Sequence, residues 1–152
     1  MERPMRAEKI MTPQPFFVRM SDKVSHASQI MREHDIGAVP VVDDPPAAGL
    51  RGIITDRDIV VRCTAREHLP SCPVSDHMTA APLETVVPDD DISVVLAKME
   101  RAQVRRIPVV TADGKLVGMI AQADVANKLG ATEPKEVEEL LARISAPAHA
   151  HA

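Results

Sequence analysis

Apolar and polar positions follow one order along this chain, and the order runs through twice. Short apolar stretches at Phe16–Arg19 and Leu83–Val87 predict strands. Polar residues come next, Ser21 and Asp22 in the first pass and Asp89 and Asp90 after Pro88 in the second, and they predict helix caps. Behind them, Val24, Ala27, Ser28 and Met31, and again Ile92, Val95, Leu96 and Met99, fall at i, i+3, i+4, i+7. That spacing is one face of an amphipathic helix. Two more strands follow, "AVPVV" and "RGIIT" in the first pass, "RIPVV" and "KLVGMIA" in the second. The turn "TADGK" predicts a hairpin, where the first pass has the longer "DDPPAAGL". A second helix, near Asp56 to Arg66 and Gln122 to Leu129, closes each pass. The predicted order is β-α-β-β-α, twice.

The residues themselves repeat. "IMTPQP" at Ile10 matches "HMTAAP" at His77, an offset of 67. "IGAVPVVDD" at Ile36 matches "VRRIPVVTADG" at Val104, an offset of 68, and "GIITDRDIV" at Gly52 matches "GMIAQADVA" at Gly118, an offset of 66. The expected organisation is a first motif at 8–66, a Pro-containing linker at 67–75, and a second motif at 76–130. An appended helix is expected at 132–145 with Thr132 as its cap, and a disordered tail at 146–152. A unit of roughly 60 residues is marginal alone because it buries a small fraction of its surface. The expected fold is therefore α/β (α+β), two β-α-β-β-α units packed with pseudo-two-fold symmetry.

Composition narrows the function. Two Phe, no Tyr and no Trp leave the core to Val, Ile, Leu, Ala and eight Met. They also leave little for base stacking on single-stranded nucleic acid. The 18 Lys and Arg against 22 Asp and Glu, a formal charge of −4, argue against nucleic-acid affinity. No apolar run approaches the roughly 20 residues that span a bilayer, and "MERPMRAEKIM" lacks the apolar region of a signal peptide. Two Cys make no disulfide framework, so a reducing, cytoplasmic setting is expected. No catalytic constellation is present: no Gly-x-Ser-x-Gly elbow, no Walker loop, no His-Glu-x-x-His. The acids Asp89 to Asp91 sit at a helix start, where the macrodipole favours them. The chain is not expected to be an enzyme.

The chemistry concentrates in "GIITDRD". Thr55 and Asp58 are three residues apart at the start of a helix, the spacing of an ordinary cap. The same pair suits a ligand: the carboxylate can accept both hydroxyls of a ribose diol, and the helix start suits a phosphate. Arg57 adds charge beside it. Pro40 and Pro108 push the residues before them toward extended geometry, and the guanidinium groups of Arg105 and Arg106 are suited to phosphate.

The paired openings "IMT" and "HMT", the strands "GAVPVV" and "RRIPVV", and "GIITDRD" and "GMIAQAD" before a helix resemble paired cystathionine-β-synthase (CBS) domains, the Bateman module. The resemblance covers about Glu8 to Leu129. "MREHDIGAVPV", "ITDRDIV" and "VRRIPVV" are similar to small stand-alone bacterial CBS-pair proteins of the hypoxic response type. It implies a regulatory module, a disc-shaped homodimer acting on an unidentified regulated protein, and clefts for AMP, ADP, ATP, NAD or S-adenosylmethionine. It also implies a base pocket and a ribose-binding Asp drawn from opposite copies. One cleft then combines Thr12, Ile36 and Ala38 with Asp124, and the other Thr79, Val104 and Arg106 with Thr55 and Asp58. Ala121 stands where Thr55 stands in the first copy, so the Asp58 cleft is expected to be the more competent. Phe16 and Phe17 crowd the other.

Cys63, His68, Cys72 and His77 read C-x4-H-x3-C-x4-H, all soft or borderline zinc donors. The spacing is not a common structural-zinc pattern and Cys63 fits a buried helix face, so no metal site is assigned. A metal or redox sensor through these four is one alternative; a ligand-independent interaction dimer is the other.

Overall fold

The computed structural model describes residues 5–45, 48–80 and 83–129, with 138, 139 and 142. Of the appended helix expected at 132–145, Glu138, Glu139 and Ala142 are helical. The rest of it, and the tail, lie outside the described residues.

The described chain forms two compact units, and they interleave along the sequence. One gathers residues 5–15, 84–112 and 117–129; the other gathers 16–83 with 113–116. In the second, β2 (Val18–Arg19) runs parallel to β3 (Ala38–Val42). Antiparallel to β3 lies β4 (Leu50–Thr55), and antiparallel to β4 lies β5 (Thr79–Ala80). The first unit repeats this order. Val86 bridges in parallel to Val109 of β6 (Arg106–Val110), β6 neighbours β7 (Leu116–Ala121), and β7 pairs antiparallel with β1 (Thr12–Pro13).

The helix faces fall where the periodicity places them. In α2 (Val24–His34) Val24 and Ala27 are buried and Met31 packs on the same core. In α4 (Ile92–Ala102) Val95, Leu96 and Met99 are buried, with Ile92 against them. The strands bring Val39, Val41 and Ile54 to one core, and Ile107, Val109 and Ile120 to the other. Fully burying a side chain such as Ile54 or Ile107 contributes about 1.5–3 kcal/mol. Both helices end on a left-handed residue, Asp35 at φ 52° and Gln103 at φ 54°.

The caps differ from expectation. Asp22 and Asp90 do not cap: each carboxylate accepts from the backbone N–H three residues earlier, Arg19 at 2.8 Å and Val87 at 2.9 Å. The helices start later. Asp91 is the cap of α4, accepting from the Ser93 N–H, while the cap position of α2 is Lys23, whose side chain accepts nothing. There the first N–H groups go instead to the linker, Val24 to the Cys72 carbonyl at 2.8 Å and Ser25 to the Pro70 carbonyl at 2.9 Å. The linker is thus part of the unit, and its Val74 is fully buried. A short helix, α1 (Ala7–Ile10), has no counterpart in the sequence reading; it buries Ala7 and Ile10.

Candidate functional site

At the end of β4 the chain turns directly into α3 (Asp56–Asp58), which continues as a π-helical turn over Ile59–Cys63 and a 3-10 turn over Thr64–Arg66. The Thr55 hydroxyl accepts from the Asp58 N–H at 3.0 Å, and an Asp58 carboxylate oxygen accepts from the Thr55 N–H at 3.0 Å. This is a reciprocal capping box, so the cap reading of "GIITDRD" is correct as far as it goes. The cap occupies Oδ2 of Asp58. Oδ1 faces the Arg62 guanidinium at 3.7 Å, a pair whose Arg side chain is 46% exposed and whose Asp side chain is 12% exposed. An ion pair this long, with its guanidinium half-exposed, couples the two groups weakly. Oδ1 therefore remains free to exchange partners.

The same turn recurs at the end of β7, leading into α5 (Gln122–Leu129). Oδ2 of Asp124 accepts from the Ala121 N–H at 2.8 Å. With Ala at the Thr55 position, the hydroxyl half of the box is missing. Each turn is also tied to the residue that opens the neighbouring strand: Asp56 N–H donates to the Gly37 carbonyl at 2.9 Å, just before β3, and Gln122 N–H to the Arg105 carbonyl at 2.8 Å, just before β6.

The glycines of the motif have a packing cause. A Cβ at Gly52 would lie 2.4 Å from the Thr79 carbonyl oxygen and 2.8 Å from the Met78 sulfur; one at Gly118 would lie 2.4 Å from the Met11 sulfur. The "MT" segments therefore lie directly over these glycines. Each does so in the sheet of the other sequence copy: Thr79 is in register with Ile53 of β4, and Thr12 with Met119 of β7. Repeat periodicity establishes equivalence and is silent on which copy a segment packs against.

The candidate residues divide between the units. One holds Ile36, Ala38, Pro40, Thr55, Arg57, Asp58 and Thr79, with Ala38 directly opposite Thr55 across the ladder. Thr55 and Asp58 are half-buried, Arg57 and Thr79 are exposed, and Pro40 is buried in β3. The other holds Thr12, Val104, Arg105, Arg106, Pro108 and Asp124; Thr12 and Arg105 are exposed and Pro108 is buried in β6. Phe16 stacks on the His34 ring at 3.7 Å, and the Arg19 guanidinium lies 5.4 Å from the Phe17 ring centroid.

Three of the four Cys and His residues around the linker, His68, Cys72 and His77, line one cavity. The His68 and His77 rings are 5.1 Å apart, and both line an open cavity of about 670 Å³ with Arg62, Arg66, Cys72 and Asp76. Cys63 stays out of that lining. It is buried, its thiol lying 3.6 Å from the His68 carbonyl and 3.8 Å from that of Leu69. Burial pushes the Cys63 thiol up from its ordinary range, and the nearby Cys72 adds to this. As the side chains stand, no three His, Cys, Asp or Glu among the described residues form a group able to hold a metal ion. Also among the described residues, no helix is long and apolar enough to cross a membrane.

The CBS domain family model matches residues 7–63 and 74–131, and the chain belongs to this family. It is 37% identical over 108 residues to Hypoxic response protein 1 of Mycobacterium tuberculosis, an alignment covering 71% of this chain and 73% of that protein. Among solved structures, Hypoxic Response Protein I with two coordinated zinc ions is 35% identical, with a TM-score of 0.74 over 82% of this chain and 99% of that one. CBSX2 in complex with AMP is 27% identical, with a TM-score of 0.70 over 86% of this chain and 98% of that one. The resemblance seen in the sequence is thereby shown, as is the mixed helix-and-sheet fold.

Proposed function

We propose that this CBS pair is a sensor that binds an adenosine-containing nucleotide, AMP foremost, with Asp58 holding the ribose. The observation that carries the reading is the Asp58 carboxylate: one oxygen is fixed by the cap, and the other faces the half-exposed Arg62 guanidinium at a long 3.7 Å. A ribose diol in place of Arg62 gains hydrogen bonds to a charged acceptor, each worth about 1.5–3 kcal/mol. The AMP complex of CBSX2 supports the ligand class. Asp124, lacking the neighbouring hydroxyl, is the weaker site. Thr79, beside β4, and the strand residues Ile36 and Ala38 are read as part of the Asp58 surroundings. Thr12, Val104, Arg105 and Arg106 are read as the corresponding set for base and phosphate contacts. Pro40 and Pro108 act by shaping their strands.

The sensing mechanism is linkage: the nucleotide shifts an equilibrium between two states only by its different affinity for them. The readout is a homodimer contact or a regulated protein in the cytoplasm. Val60 and Val61, 59% and 49% exposed on the π-helical turn, supply apolar surface for such a contact. The chain itself performs no catalysis in this reading.

Calorimetric titration of untagged protein with AMP, ATP, NAD and S-adenosylmethionine tests it. Saturable binding by one of the four, weakened in Asp58→Ala, is the expected result. No binding by any of them returns Thr55 and Asp58 to a purely structural cap and favours the ligand-independent interaction dimer.

A further inference from the structure

The hollow beside α3 contains chemistry that nucleotide binding does not use. His77 is only 3% exposed, and its Nε2 has no hydrogen-bond partner. Buried polar atoms are nearly always paired, so an unpartnered imidazole nitrogen is a donor open to a ligand. The other His, Cys and Asp side chains lining the same cavity are the His68 imidazole, with its ring 5.1 Å from that of His77, the Cys72 thiol and the Asp76 carboxylate. Those are nitrogen, sulfur and oxygen donors of the kinds that bind zinc tetrahedrally.

We propose that this cavity is a site for one zinc-type divalent ion, held by His77 with His68, Cys72 and Asp76. His77 is the fixed anchor, set by burial. The other three approach it by rotating side chains. His68 and Asp76 are exposed and Cys72 is half-buried, so each turns at little packing cost. The rotation is needed, because the donors do not converge as they stand. Cys63 is not a ligand: its thiol is buried against the carbonyls of His68 and Leu69, outside the cavity lining.

Two guanidinium groups oppose a cation here. Arg62 is already engaged, donating to the Met78 carbonyl at 3.2 Å. Arg66 is exposed and its charge is open to solvent. A Cys72 thiolate and the Asp76 carboxylate offset a divalent ion. The ion would tie the end of the helical run, at His68, to the 3-10 turn Val74–Asp76 that precedes β5.

Titration of the reduced full-length chain with Co²⁺ tests the site through its absorption spectrum. The expected result is saturation near one ion per chain, with the intense visible bands of tetrahedral cobalt and a near-ultraviolet thiolate-to-cobalt charge-transfer band. Cys72→Ser removes the charge-transfer band and Cys63→Ser leaves it. His68→Ala weakens binding by at least the ~10–100-fold that loss of a supporting partner costs in metal sites. His149→Ala with His151→Ala changes nothing. Weak octahedral bands alone, a charge-transfer band that survives Cys72→Ser, or binding abolished by the tail substitutions overturns the proposal. His77→Gln perturbs the core as well, so Cys72 and His68 carry the test.

Discussion

The turn from β4 into α3 and the turn from β7 into α5 are built to one plan, yet the first has two reciprocal side-chain bonds and the second has one. The Asp does the same thing in both, accepting from the strand-end N–H, although α3 passes into a π-helical turn where α5 stays α-helical. At the strand end the hydroxyl of Thr55 is replaced by the methyl of Ala121, and this is the difference that removes one bond of the box. In both copies the retained Asp satisfies the strand-end N–H, whatever else it does. The turn into α5 is formed without the hydroxyl half of the box. A copy that keeps both is where a second role for the carboxylate is best sought.

The largest contrast between the copies is expected at the glycines. Gly52→Ala drives a Cβ into a backbone carbonyl, at 2.4 Å from the Thr79 oxygen, which cannot move without breaking the β4–β5 pairing. Gly118→Ala meets the Met11 side chain, with sulfur at 2.4 Å and Cγ at 2.9 Å, and a methionine can swing aside. Denaturant unfolding should place Gly52→Ala at or above the top of the about 1–3 kcal/mol typical of overpacking, and Gly118→Ala near the bottom. Equal losses would mean that Met11 is as fixed as a main-chain carbonyl.

Next in size is nucleotide affinity. Asp58→Ala should weaken AMP binding by about 1.5–3 kcal/mol, the value of a hydrogen bond to a charged acceptor. Asp124→Ala should weaken it much less. Calorimetry on the two variants compares them directly, and the reverse ranking would move the principal site to the second copy. A smaller effect runs the other way. Ala121→Thr restores the missing half of the box and should raise stability by about 0.5–2 kcal/mol, the range for installing such a cap. If thermal unfolding is unchanged, the hydroxyl of Thr55 has a use other than the cap.

Much of this was legible beforehand because it is local. Helix faces at Val95, Leu96 and Met99, the strands around Val39 and Ile107, and the Thr55/Asp58 spacing all follow from periodicity or from residues within one turn. What was not legible depends on distant chain. That Met78 and Met11 each cover a glycine in the sheet of the other copy is a choice between equivalent partners, which a repeat cannot specify. The uncapped start of α2 had the same origin. Its N–H groups are satisfied by Cys72 and Pro70, and nothing within the helix's own sequence points there. The gathering of His68, Cys72 and His77 likewise depends on how the linker folds back.

The two helix starts offer the finest test, one of pH. Asp91 accepts from the Ser93 hydroxyl and the Ser93 N–H, and these bonds hold its carboxyl below the usual range. A depressed carboxyl contributes stability above its ordinary titration range and loses it as pH falls through the folded value. The first turn of α4 should therefore loosen in acid. At the start of α2, Ser25 donates to a backbone carbonyl, which does not titrate, so its hydrogen bond carries no such dependence of its own. Amide-exchange protection factors for Ser93 and Ser25 separate the two: protection at Ser93 should fall first as pH drops below the carboxylate range. Asp91→Asn, which keeps an acceptor and cannot titrate, should bring the two helix starts together. If Ser93 still loses protection first in that variant, the acid sensitivity arises elsewhere in the unit.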